Sequence, residues 1–281
     1  AWRHYLIHRK PPAQAFFSRN SNPLAWALDI DLQLHSMPLW LRRIDSNSKH
    51  HALDPLLIDT EIAAWMAESA QSGTEIHRSL QLLACAYAMD RLAAVLSPEQ
   101  WWVLLDHLLG AADDACAINP ADDPLAHQYL AGELPLALSC LLPELHRCRS
   151  LRPEARRVLS SGLLDLLDGE GLPHANHLLL AGPLLACWTR CYAIAQNINA
   201  RCFSSSAARQ YRWFVRQSLR LLRRDGSYAF SKPAQLHNIP ELFAVALALD
   251  HDAENEHIAS LMGLGLSKPI RSAKRNPRLR T

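Results

Sequence analysis

Apolar residues along this chain recur at spacings of three and four, in blocks cut by short polar phrases that end in glycine. LLDHLLG (104–110), LLDLLDG (163–169) and LRLLRRDG (219–226) are variants of one phrase. Their closing glycines, Gly110, Gly169 and Gly226, stand 59 and 57 residues apart. Each phrase leads to a further apolar block that opens on polar residues: AHQYL (126–130), ANHLL (175–179) and LHNIPELF (236–243). Such self-similarity marks a stack of repeated units, here pairs of helices. The pattern predicts an all-α chain of repeated antiparallel helix pairs, forming a complete or partial α/α toroid, with an open α-solenoid as the alternative. The long connections 111–124, 169–174 and 225–239 follow the same member of each pair and are expected to gather on one face.

Between these landmarks the signals are regular. Residues 29–35, DIDLQLH, alternate with a period of two and read as a short strand or as a helix running into PLWLRRI. A helix is expected over 55–71. Ser72 and Glu75 form a capping box for the next one, and Ser97, with Pro98 and Gln100, forms another for a helix that closes at Gly110. Further helices are expected from Leu125 to Pro143, from Pro153 to Gly169, after Pro173 with a kink at Gly182-Pro183, after Ser204–Ser206, from Pro240, and after Asp252 to about Gly263. The organisation is then an N-terminal arm and cap (1–50), a helix-pair domain (51–267) and a basic, disordered tail (268–281).

Composition narrows the function classes. Hydrophobic residues make up 49% and charged residues 20% of 281, enough for a large core. The net charge of +2 hides a split, because the tail holds six basic residues and no acid. Without them 23 basic residues face 27 acidic ones, a body of −4 that disfavours nucleic acid. The tail reads as solvated, or as an anion- or RNA-binding arm. No apolar run reaches the roughly 20 residues of a membrane span, and no secretory signal is visible. Seven cysteines without a CxxC pair, mostly in apolar blocks, predict free buried thiols and a reducing, cytoplasmic compartment. Cys187 and Cys191 share a helical face at i, i+4 but lack an obvious partner pair, so no metal and no cofactor are expected. Trp101, Trp188 and Trp213 read as core.

The densest polar cluster is HANH, His174 to His177, after the Asp168-Gly169 turn. It resembles the helix-leading Asn-His of the heparinase II/III-like and alginate-lyase families, α/α-toroid polysaccharide lyases. The resemblance covers roughly residues 100–250. It implies that Asn176 neutralises a uronic carboxylate, that His177 acts on the C5 proton, and that a Tyr beyond the Asp225-Gly226-Ser227 turn serves as base and acid, here Tyr228. His174, Arg224 and His237 complete the set as substrate-binding residues, with acidic polysaccharide as partner and β-elimination as reaction. Cancelling the carboxylate charge beside a base of matched pKa is what that reaction requires. The chain departs from the family in the Tyr position, where Leu236 and His237 stand, and in lacking the following β-sandwich. The same turn resembles that of terpene-cyclase and prenyltransferase α/α barrels, whose Asp-rich motif only DDACAINPADD (113–123) could supply. That run reads as a solvated loop. In the other class of reading, the histidines are ordinary helix-entry residues and the chain is a non-catalytic helical repeat that binds a protein along its loop face.

Overall fold

A computed structural model of the chain describes residues 2–10, 22–47, 55–69, 75–223, 229 and 238–261. Helix dominates, and no strand occurs among the described residues. In chain order the helices are α1 (Trp2–His8), α2 (Ile30–His35), α3 (Leu39–Asn47), α4 (Pro55–Ser69), α5 (Glu75–Val95) and α6 (Pro98–Ala115). Next, α7 (Pro124–His127) runs through a π-helical segment, Gln128–Glu133, into α8 (Leu134–Leu141). Then come α9 (His146–Ser150), α10 (Arg152–Asp165), a 3-10 segment Ala175–Leu180 that leads into α11 (Ala181–Asn197), α12 (Ser205–Arg220), α13 (Ile239–Asp250) and α14 (Ala253–Leu261).

Two kinds of helix alternate. α8 is buried at every position and α11 at 13 of 17, and α5 is buried without a break from Leu82 to Met89, as expected of helices enclosed by others. α6 buries Trp101, Leu104, Leu105, Leu108, Leu109, Ala112 and Ala115, a single face at three- and four-residue spacing, and leaves Trp102 and Val103 exposed. The enclosed helices pack on one another in sequence, α5 on α8 and α8 on α11, and α11 packs on α13, which buries a single face. The outer ones do the same, α10 on α12 and α12 on α14. Neighbours run the same way. Gln128 meets Trp188 while Glu133 meets Arg190, and Ser160 meets Ser204 while Glu170, past the end of α10, meets Gln217. The connections before α7 and before α11 therefore emerge at one end of the stack.

Local chemistry sets the ends. The Ser97 hydroxyl accepts from the Gln100 amide with Pro98 at the first helical position, the cap the sequence implies; such a cap contributes about 1 kcal/mol. Asp29 accepts from the Leu32 amide and starts a helix at Ile30, which decides between strand and helix for 29–35. α6 does not stop at Gly110. It runs on to Ala115 because Ala111, Ala112 and Ala115 still have a core face to bury, and Gly110 sits in open space with ordinary helical geometry. Gly182-Pro183 does not kink α11 in its middle. The α-helix begins at Ala181, so Pro183 occupies the first turn, where its missing N–H matters least. The N-terminal segment is more than an irregular cap, since α1 packs on α5 and Leu6 enters the core. The Arg9 guanidinium donates to Asp90, Glu144 and the Leu141 carbonyl.

The π-helical segment has its own cause. Leu134 N–H donates to the Tyr129 carbonyl, five residues back, immediately before Pro135, which has no N–H to continue the ladder. The slip lets α7 and α8 form one continuous rod, with Gln128 to Glu133 all buried.

Candidate functional site

The connection from α10 to α11 is built around Asp168. Its Oδ1 accepts from the Glu170 and Leu172 amides at 2.9 and 3.0 Å. Asp168 N–H donates to the Leu172 carbonyl and His174 N–H to the Leu166 carbonyl, and Leu167 and Pro173 form an antiparallel bridge. Gly169 and Gly171 have φ of +88° and +87°, where side chains are strained. A Cβ on Gly171 would lie 2.4 Å from the Trp213 carbonyl carbon, so the loop is seated hard on α12. This rigid support delivers His174, Ala175 and Asn176 to solvent and leaves His177 half-buried. His177 N–H donates to the His174 carbonyl at 2.7 Å. The three polar side chains make no hydrogen bond to a described residue. Leu179, two residues on, is 72% exposed.

His174 thus leads into, and Asn176 and His177 lie on, the 3-10 segment Ala175–Leu180, at the end of the stack where the connection before α7 also emerges. Tyr228, Arg224 and His237 lie outside the described residues, as do Asp225, Gly226 and Ser227, Ser72 of the expected capping box, and the tail 268–281. Arg223 donates to the Ala229 carbonyl. Trp101 and Trp188 are core, and Trp213 is half-buried. All seven cysteines are free, six of them buried and Cys116 exposed.

A second polar centre lies in the core, between the enclosed helices. Arg190 of α11 grips Glu133 at two points, Nε to Oε1 at 2.6 Å and Nη2 to Oε2 at 2.7 Å. Its Nη1 donates to the Pro23 carbonyl at 3.1 Å, and its guanidinium carbon stands 5.6 Å from the Tyr129 ring centre. The Tyr87 hydroxyl of α5 donates to Glu133 Oε1 at 2.8 Å. Nearby, Trp188 Nε1 donates to Gln128 Oε1 at 2.9 Å. Burial works against the charge on Arg190, but the Glu133 carboxylate outweighs it and holds the guanidinium protonated. Burial pushes the Tyr87 phenol well up, with the Glu133 charge adding to it. Burial also raises the Cys187 thiol well above its usual value and the Cys191 thiol to about 11.

The sequence reading did not single out Glu133, Arg190, Tyr87 or Tyr129. A signal was present, since Glu133 is the lone charge of LAGELPLAL and Arg190 that of LLACWTRCYAIA. Two opposite charges, each isolated in an apolar helix, call for each other because neither is tolerated unpaired in a core. The stretch Ala175–Asn197 is long and apolar enough to cross a membrane by length and composition, but 72% of its most apolar 18-residue window is buried inside the protein, as in the core helix of a globular fold. The chain matches no family model, and neither a curated protein nor a solved structure shows significant similarity to it.

Proposed function

We propose that the end of the stack carrying His174, Asn176 and His177 binds acidic, uronate-containing polysaccharide, and that the chain cleaves it by β-elimination within a helix-pair toroid. The observation that supports this reading is the presentation of an amide and two imidazoles, without protein partners among the described residues, on a loop rigid enough to hold them in register. In the reaction the C5 proton leaves to a base, the C4–oxygen bond breaks, the departing oxygen is protonated, and a C4–C5 double bond remains. The Asn176 amide donates hydrogen bonds to the uronate carboxylate, which stabilises the charge that develops on it. In this reading His177 exchanges the proton, Tyr228 completes the acid–base pair, and Arg224 and His237 hold substrate.

The test is release of unsaturated uronic products from a panel of acidic glycans, followed by ultraviolet absorbance, for wild type, His177→Ala and Asn176→Ala. Loss of product with an unchanged melting temperature supports the reading, because a half-buried, unpartnered histidine contributes little stability. Product from His177→Ala equal to wild type ends it. The exposure of Leu179 beside this cluster favours a second reading, a non-catalytic repeat that binds a protein partner along the loop face. That reading takes over if wild type neither cleaves nor binds any acidic glycan in calorimetry.

A further inference from the structure

The two cysteines at i, i+4 on α11 are not alone. Cys187 Sγ, Cys191 Sγ and a carboxylate oxygen of Glu133 all lie within 4.8 Å of one another, and all three residues are sealed from solvent. We propose that Cys187, Cys191 and Glu133 form a binding site for a divalent cation of the zinc class. Two thiolates and one carboxylate are a donor set such an ion accepts in tetrahedral coordination. Positions i and i+4 on a helix hold two donors on one face, at the spacing a single ion spans.

Glu133 has the capacity. Its Oε1 accepts from Arg190 Nε and from the Tyr87 hydroxyl, which fills that oxygen. Its Oε2 accepts from Arg190 Nη2 alone and keeps one lone pair. An independent observation comes from the same turn of helix. The Tyr129 hydroxyl, four residues before Glu133 and beside the Arg190 guanidinium, is fully buried with no hydrogen-bond partner among the described residues. A buried hydroxyl left unbonded is destabilising, and ligation of a metal is a use for its oxygen. Tyr129 and Glu133 both belong to the π-helical segment, which packs on α11.

Charge also balances. Glu133 and Arg190 cancel one another, and a doubly charged cation cancels two thiolates, so occupancy leaves the dry core neutral. Binding releases the two thiol protons to solvent and forms two metal–sulfur bonds and two metal–oxygen bonds, to Glu133 and to the neutral Tyr129 hydroxyl, with no change of oxidation state. Because the centre is enclosed, the cation enters as the chain folds.

The full-length chain, stripped with chelator under reducing denaturant and refolded with cobalt(II), tests this. One cobalt per chain and a thiolate-to-cobalt charge-transfer band are expected, with the band lost in Cys187→Ala and in Cys191→Ala. It should be retained in Cys116→Ala and Cys140→Ala, which remove one exposed and one buried thiol elsewhere. Far-ultraviolet circular dichroism reports folding for each variant. Should the two loss variants not fold, the wild type decides: X-ray absorption of bound cobalt showing two sulfur neighbours upholds the site, and any other sulfur count overturns it. Wild type refolded with cobalt that shows no charge-transfer band, or a band that survives Cys187→Ala, likewise overturns it.

Discussion

Glu133 and Arg190, 57 residues apart in the chain, meet as a two-point ion pair with neither side chain open to solvent. The pair ties the π-helical segment to α11, and through Tyr87 it reaches α5, so one carboxylate joins three enclosed helices. A buried pair of this kind adds little net stability over well-packed apolar residues, but a broken one leaves an uncompensated charge in the core.

Arg190→Met and Glu133→Leu are each expected to destabilise the chain by about 3–5 kcal/mol, a large part of the total for a domain of this kind. The double variant removes both charges and is expected to lose much less than the sum of the two. Urea unfolding of the four proteins, read as a double-mutant cycle, measures this. Additive losses would mean that the charges do not depend on one another.

The all-α character was legible because its cause is periodic: three- and four-residue apolar spacing needs nothing beyond the local chain to be seen. The Ser97 cap and the Asp168-Gly169 turn were legible for the same reason, each satisfied within a few residues. Gly110 misled because a glycine after an apolar block looks like a stop, whereas tertiary burial of Ala111, Ala112 and Ala115 carries the helix past it. Residues 29–35 alternate like a strand, yet one capping hydrogen bond from the Leu32 amide to Asp29 accompanies helix. At the candidate site the sequence marked His174, Asn176 and His177, contiguous in the chain, and the structure exposes the first two and half-buries the third. The core polar centre stayed hidden because its members come from α5, the π-helical segment and α11, and proximity across such separations is not written in local spacing.

One buried histidine, His127, and one half-buried, His107, set a pH response. Burial lowers His107 and His127 below the ordinary value, and the nearby charges of Arg78 and Arg157 respectively add to it. The unfolded chain then takes up protons that the folded chain refuses. Stability is complete above about 6.5, falls as pH drops through that value, and stops falling once pH passes below the lowered folded values. The double variant His107→Gln/His127→Gln is expected to show a flatter slope of unfolding free energy between pH 7.5 and about 5.5, with urea midpoints as the measurement. An unchanged slope would assign that window to other groups.

Thiol accessibility separates the exposed cysteine from the rest. Cys116 sits at the C-terminal end of α6 in solvent, whereas Cys85, Cys140, Cys148, Cys187, Cys191 and Cys202 are buried. A disulfide reagent added to native protein is expected to react quickly with one thiol and to reach all seven only in denaturant. The Cys116→Ala variant should lose the fast phase altogether. Burial and the nearby acids Glu154 and Asp113 raise this thiol, so the fast phase should itself accelerate as pH rises.

The loop before α11 offers the sharpest comparison, because its two glycines have nearly the same φ and different surroundings. Gly169 at φ +88° has only the Gln210 amide nitrogen, 3.8 Å away, near a would-be Cβ. Gly171 at φ +87° would place that carbon 2.4 Å from the Trp213 carbonyl carbon and 2.6 Å from the Phe214 nitrogen, both backbone atoms of α12. Gly169→Ala is therefore expected to cost the left-handed strain alone, about 1–2 kcal/mol. Gly171→Ala adds overpacking against a helix that cannot yield locally, a further loss of about 1–3 kcal/mol. It also lifts the loop from α12, and with it the platform that carries His174, Asn176 and His177. Urea unfolding should rank wild type above Gly169→Ala above Gly171→Ala. Any binding of acidic glycan at that end should weaken in Gly171→Ala more than in Gly169→Ala. Equal losses for the two variants would show that the loop is not seated on α12 in solution.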